Sequence, residues 1–125
     1  MKILFDSNIF IYAAAGQSEA LAVLDSAASD EASGYCAITR LEVLGYSQFA
    51  DDEEARLLTM LSCFKEYDVS RSIIDEAVRL RKSAVVKIPD AIIAATARIY
   101  RATLITRNTD DFKNLENLDI RNPFA

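Results

Sequence analysis

The chain holds nineteen acidic residues and not one histidine, which narrows the chemistry open to it. Without imidazole there is no Ser-His or Cys-His nucleophile, no histidine base and no mixed His/Cys zinc site. Cys36 and Cys63 stand in the apolar stretches "GYCAI" and "LSCFK" with no CxxC pair, and read as reduced core thiols of a cytoplasmic protein. Acid-base or metal chemistry must therefore rest on carboxylates, assisted by hydroxyls, amides, Lys or Arg.

Four acidic positions stand out. Asp6 directly follows the apolar run "KILF", Glu42 follows "SGYCAI", Asp90 follows Pro89 in "KIPDAIIAATARIY", and the fourth, Asp111 or its neighbour Asp110, lies just past "LITRN". Each has an ordinary structural use. Asp6 can cap a helix starting near Asn8, Thr39-x-x-Glu42 fits a capping box, and Asp110 or Asp111 can cap the turn "DFKNL". Pro89 suits a first helical position, and Asp90 beside it meets the positive end of the helix dipole for roughly 0.3–1 kcal/mol. Taken together the four read differently. Carboxylates gathered within a few ångströms repel one another and take up protons unless a cation holds them. Oxygen donors of this kind suit Mg²⁺ or Mn²⁺, and two such ions can activate water and stabilise a leaving oxygen in phosphodiester hydrolysis. Ser7, Asn8, Thr106 and Asn108 are placed to add ligands or to support them. Arg40 and Arg107 flank the acids and could meet a phosphate, or be ordinary solvated side chains.

The surrounding pattern supplies elements that can carry such a cluster. Short β-rich runs alternate with helical ones: strand "KILF", a helix from Ile9 that Gly16 ends, a helix from Ser18, strand "SGYCAI", a helix "TRLEVLGYSQF" from Thr39, and one from Asp51 with acids in its first turn. Then come strand "KEYDVS", helix "SIIDEAVRLRKSA", the Pro89 helix, strand "ATLITRN" and a last short strand near "LDIRN". Such alternation predicts an α/β parallel sheet with helices on both faces and right-handed crossovers. Ligands bind outside the carboxyl ends of the strands in sheets of this type, which is where the acids fall.

One hundred and twenty-five residues, 51% hydrophobic and 26% charged, predict a single domain spanning 1–125 with a real core. The apolar start is interrupted by Asp6 and Asn8 and predicts neither a signal peptide nor a membrane span. A net charge of −5 argues against tight nonspecific binding to nucleic acid through counterion release, but not against a nuclease whose site acids are neutralised by cations.

The segments "LFDSNIFIY", "ITRLEVLGY", "IPDAIIAATA" and "LITRNTDDF", in this order across nearly the whole chain, resemble the motifs of PIN-domain ribonucleases, in particular the VapC toxins of toxin-antitoxin pairs. Four motifs in register make the signal specific where D-x-N alone would not. The resemblance implies a three-layer α/β sandwich with a central five-stranded parallel sheet, and a Mg²⁺- or Mn²⁺-dependent endoribonuclease whose catalytic and metal-holding acids are Asp6, Glu42, Asp90 and Asp111. Asp111 is preferred over Asp110 because the acid of that family directly precedes the aromatic residue, here Phe112, and Ser7 stands where the family more often has Thr. It further implies an RNA substrate, a homodimer, and inhibition by a small antitoxin whose C-terminal segment fills the active-site groove. A haloacid-dehalogenase phosphatase would need an Asp where Asn8 stands, and a response-regulator receiver a late Lys where "LITRN" has Arg. A noncatalytic interaction protein on the same scaffold is the alternative from another class.

Overall fold

The computed structural model describes residues 2–46 and 49–125. Five short parallel strands, β1 (Ile3–Phe5), β2 (Gly34–Cys36), β3 (Lys65–Tyr67), β4 (Thr103–Ile105) and β5 (Ile120–Arg121), form one sheet in the order β3-β2-β1-β4-β5. Six helices connect them: α1 (Ser7–Ala14), α2 (Ser18–Ala27), α3 (Ala37–Leu44), α4 (Asp51–Ser62), α5 (Arg71–Ser83) and α6 (Ile88–Tyr100), with a 3₁₀ turn at Thr109–Phe112.

Strand side chains alternate between the two faces of a sheet, and here both faces are buried. Leu4, Cys36, Tyr67 and Leu104 point into one core with Ile73 and Leu80 of α5 and Ile93, Ala94 and Ala97 of α6. Their neighbours Phe5, Tyr35 and Ile105 point into the other, with Ile9 and Phe10 of α1, Leu24 of α2 and Leu57 and Leu61 of α4. There Phe5, Phe10, Tyr35 and Phe64 meet edge to face, with centroids 5.2–6.1 Å apart. Each such pair adds about 0.5–1.5 kcal/mol beyond its area. The chain steps from β1 to β2 to β3 in one direction and then returns past β1 to β4, and right-handed crossovers demand that the two directions place their helices on opposite faces. The two cores obey that rule.

β2 can lie against β3 because residue 34 has no side chain: a Cβ there would stand 1.9 Å from the Lys65 carbonyl oxygen. Gly16, at φ +87°, turns the chain after α1, as expected from the sequence.

Several expectations are corrected. The helix after β2 starts at Ala37, with Cys36 as its N-cap, not at Thr39. Thr39 is therefore a fully buried residue inside the first turn and Glu42 sits in the second turn, so the capping box does not form. That helix ends at Leu44; of the "YSQF" predicted to extend it, Ser47 and Gln48 lie outside the described residues. Ile88 precedes Pro89 in α6, a one-residue displacement of the kind common at helix ends. Cys36 is buried, but Cys63 is exposed: it is the C-cap of α4, where Leu61 and Phe64 turn into the core and the thiol donates to the Thr59 carbonyl at 3.4 Å. Among the described residues no helix is long and apolar enough to cross a membrane.

Candidate active site

The reversal of strand order falls between β1 and β4, and at such a switch point the connections diverge and leave a crevice at the carboxyl ends of the strands. Asp6 closes β1 there, its N–H donating to the Ile105 carbonyl at 2.9 Å. A cleft of about 330 Å³ opens beside it, lined by Asp6, Ser7, Asn8, Ile11, Glu42, Lys87, Pro89, Asp90, Asn108 and Asp111. Four carboxylates from four separate elements thus face one space: Asp6 from the end of β1, Glu42 from α3, Asp90 from the first turn of α6 and Asp111 from the 3₁₀ turn. Asp110 does not line it. A larger apolar groove, about 520 Å³ between α2 and α4, contains none of these four residues.

Hydroxyls and amides hold two of the acids, the buried Asp6 and the exposed Glu42. Asp6 Oδ1 accepts from the Ser7 N–H at 2.8 Å, so it does cap α1. Its other oxygen accepts from the buried Thr106 hydroxyl at 2.7 Å and from Asn8 Nδ2 at 3.3 Å. Thr106 Oγ1 in turn accepts from Asn8 Nδ2 and from the Asn108 N–H. Ser7 donates to Glu42 Oε1 at 2.7 Å, and its hydroxyl also lies 3.0 Å from that of Thr39. The cap and the cleft wall are therefore one structure: the same carboxylate that starts α1 presents its second oxygen to the network. Neither Asp110 nor Asp111 caps the 3₁₀ turn, whose N-cap Asn108 makes no side-chain capping bond.

The charges are felt across the cleft. Burial, and then the negative charges of Asp6, Asp111 and Glu42, push Asp90 from 3.8 up to about 6, while Lys87 opposes the rise. Asp6 is also raised, chiefly by burial, with Thr106 and the Ser7 N–H pulling it back. Ionised acids in this cleft are thus held at a cost that a cation would relieve. The donors are hard oxygens throughout, the set that Mg²⁺ and Mn²⁺ prefer. Among the described residues no three such side chains already form a closed set of ligands for one ion. Mg²⁺ does not require one, because it binds through one or two carboxylates and keeps several waters.

The two arginines, read from the sequence either as phosphate contacts or as ordinary surface side chains, are exposed and have partners outside the cleft. Arg40 turns to the sheet edge and bonds Glu66 at 2.6 Å and the Tyr35 hydroxyl at 3.3 Å. The Arg107 guanidinium lies over the rings of Phe124 and Tyr12, at 4.3 and 4.8 Å. Neither lines the cleft. Lys87 does, a residue that the acid pattern alone does not single out; its place as N-cap of α6, immediately before "IPD", is the sequence signal for it.

A doubly covered parallel sheet with an acid-lined crevice at its switch point defines an α/β protein of the doubly wound kind. The chain belongs to the PIN domain family, whose model matches residues 3–118. It is similar to Ribonuclease VapC2 of Methanocaldococcus jannaschii, 26% identical with 95% of this chain and 92% of that protein covered. Among solved structures it is similar to a toxin-antitoxin complex from Klebsiella pneumoniae, at 36% identity, 97% coverage of both chains and a TM-score of 0.80. VapBC2 from Rickettsia felis, bound to a DNA fragment from its promoter, shares the fold at 24% identity, 98% coverage of both chains and a TM-score of 0.83.

Proposed function

We propose that this protein is a divalent-cation-dependent endoribonuclease and the toxin of a toxin-antitoxin pair. The observation that carries the reading is the convergence of Asp6, Glu42, Asp90 and Asp111 on one cleft in a PIN-family chain. RNA as substrate and an antitoxin as partner rest on the similarity to a ribonuclease and to a toxin-antitoxin complex. The four acids would hold Mg²⁺ or Mn²⁺, which when bound would supply an activated water and charge stabilisation for the leaving oxygen.

The chain's own residues prepare the site. Thr106 and Asn8 hold the inner oxygen of Asp6, and Ser7 holds one oxygen of Glu42, so two acids keep a fixed aim. Asp90 and Asp111 enter from α6 and the 3₁₀ turn and complete the acidic lining. Asn108, tied through its N–H to Thr106, offers its amide to substrate or to water. Cytoplasmic action and a homodimer belong to the same proposal.

The test is purified protein incubated with single-stranded RNA in Mg²⁺ or Mn²⁺, and again with EDTA. Cleavage in metal that stops in chelator is expected. Cleavage that persists in chelator would overturn the cation mechanism, and absence of cleavage in either condition would favour a noncatalytic binding role. Growth arrest on expression, relieved by a small antitoxin encoded beside it, tests the toxin assignment.

A further inference from the structure

A cleft walled by four carboxylates repels the polyanion it is proposed to cut, and cations held by those acids counter that charge only at the reacting phosphate. Among the described residues Lys87 is the one basic residue lining this cleft. It sits at the N-cap of α6, three residues before Asp90, on the exposed rim. Its ammonium influences Asp90 electrostatically, yet among the described residues Lys87 makes neither an ion pair nor a side-chain hydrogen bond. The two arginines nearest in sequence to the acids differ in this respect, Arg40 being paired with Glu66 and Arg107 stacked on Phe124 and Tyr12. A lysine kept to neutralise the acids would close onto one of them. This one stands beside them with its three donors uncommitted, and an ammonium is a compact point charge well suited to a phosphate oxygen.

We infer that Lys87 is a substrate-binding residue, contacting a backbone phosphate of the RNA at the rim of the cleft. The inference rests on the nuclease reading and assigns the substrate contact that neither Arg40 nor Arg107 is placed to make. A phosphate contact carries no base preference, so Lys87 supplies affinity and register, not sequence choice.

The test compares wild type with Lys87→Gln, Lys87→Arg and the exposed control Lys82→Gln. Binding of a fluorescein-labelled single-stranded RNA oligonucleotide is followed by anisotropy in Ca²⁺ over a salt series. Steady-state cleavage is measured in Mn²⁺, and Mn²⁺ binding by calorimetry. Lys87→Gln is expected to weaken RNA binding about fivefold, the equivalent of roughly 1 kcal/mol for an exposed charge contact. The slope of log K against log salt should flatten by about 0.7, the value for one phosphate contact on a single strand. KM should rise with kcat little changed, Mn²⁺ affinity should stay equal or tighten, Lys87→Arg should keep most of the binding, and Lys82→Gln should behave as wild type. Unchanged RNA affinity and salt slope in Lys87→Gln, with wild type cutting normally, would overturn the assignment and leave the nuclease reading standing. A loss of RNA affinity that merely follows a loss of Mn²⁺ affinity would overturn it too, making Lys87 an organiser of the acids. A wild type that neither binds nor cuts RNA would end the nuclease reading and this inference with it.

Discussion

Asp90→Asn sets the two uses of an acid at a helix start against each other. If Asp90 serves α6, its ionised form meets the dipole and removing the charge costs roughly 0.3–1 kcal/mol. If it serves the cleft, the ionised form is a burden on the cation-free protein. Burial and three neighbouring carboxylates raise it from 3.8 to about 6, so the folded state holds this proton more tightly than the unfolded state does. Stability from the protonated carboxyl is complete below pH ~4 and is lost as pH rises through about 6. At about 1.4 kcal/mol per pKa unit the whole rise would amount to roughly 3 kcal/mol. Asp90 is only half-buried, and solvent screening brings the figure to about 1 kcal/mol.

Thermal melts in EDTA at pH 7.5 and at pH 4, then at pH 7.5 with Mn²⁺, decide between them. In EDTA at pH 7.5 the variant should melt a few degrees above wild type, the shift that about 1 kcal/mol produces in a domain of this size. The advantage should vanish near pH 4, where wild type carries the proton itself. In Mn²⁺ the order should invert: an ion at a hundred times its Kd adds about 2.7 kcal/mol to the protein that holds it, and the variant lacks one of the acids. RNA cleavage by the variant should be lost on the same preparation. A variant that melts below wild type in EDTA at pH 7.5 and cleaves RNA normally would return Asp90 to helix capping and refute the shared cleft charge.

Glu42→Gln should still accept from the Ser7 hydroxyl and melt within a few degrees of wild type, yet bind Mn²⁺ more weakly and cleave far more slowly, because a neutral amide is a poor ligand for a hard cation. Ser7→Ala leaves Glu42 charged but unaimed, and single-turnover cleavage should fall about 10- to 100-fold, the usual cost of removing a partner that orients a metal ligand. Thr39→Ala, which breaks no cap, should cost about 1 kcal/mol in urea unfolding through its buried hydroxyl; an unchanged midpoint would show that its contact with Ser7 contributes nothing. Gly34→Ala should destabilise by at least about 2 kcal/mol or prevent folding, since its methyl would enter the Lys65 carbonyl, and wild-type solubility and melting would contradict the register of β2 on β3.

The architecture was legible because a buried parallel sheet writes itself twice in the sequence, as short apolar runs and as the helices that must separate them. Runs such as "KILF" and "ATLITRN" located β1 and β4, though the paired strands are only three residues long, because sequence marks apolar length while pairing is set by where neighbouring strands overlap. The four acids were legible for the same reason: each stands at the exit of a strand or near the start of a helix, and topology then brings those places to one edge. What remained hidden is side-chain direction within a helix. Placing Thr39 at the cap put Glu42 in the first turn, where a backbone N–H would satisfy it. Moving the start back to Ala37 buries Thr39 and puts Glu42 one turn further on, where Ser7 of α1 reaches it. The arginines were left open between two readings because sequence places Arg40 and Arg107 near acids but does not show their partners: Glu66 on β3 pairs with the first and the rings of Tyr12 and Phe124 lie under the second. Those partners are 26, 95 and 17 residues away in the chain, so the fates of the two arginines emerge only in the folded arrangement, whereas Lys87, among the described residues the basic side chain lining the cleft, stands three residues before Asp90 and was within reach of the sequence.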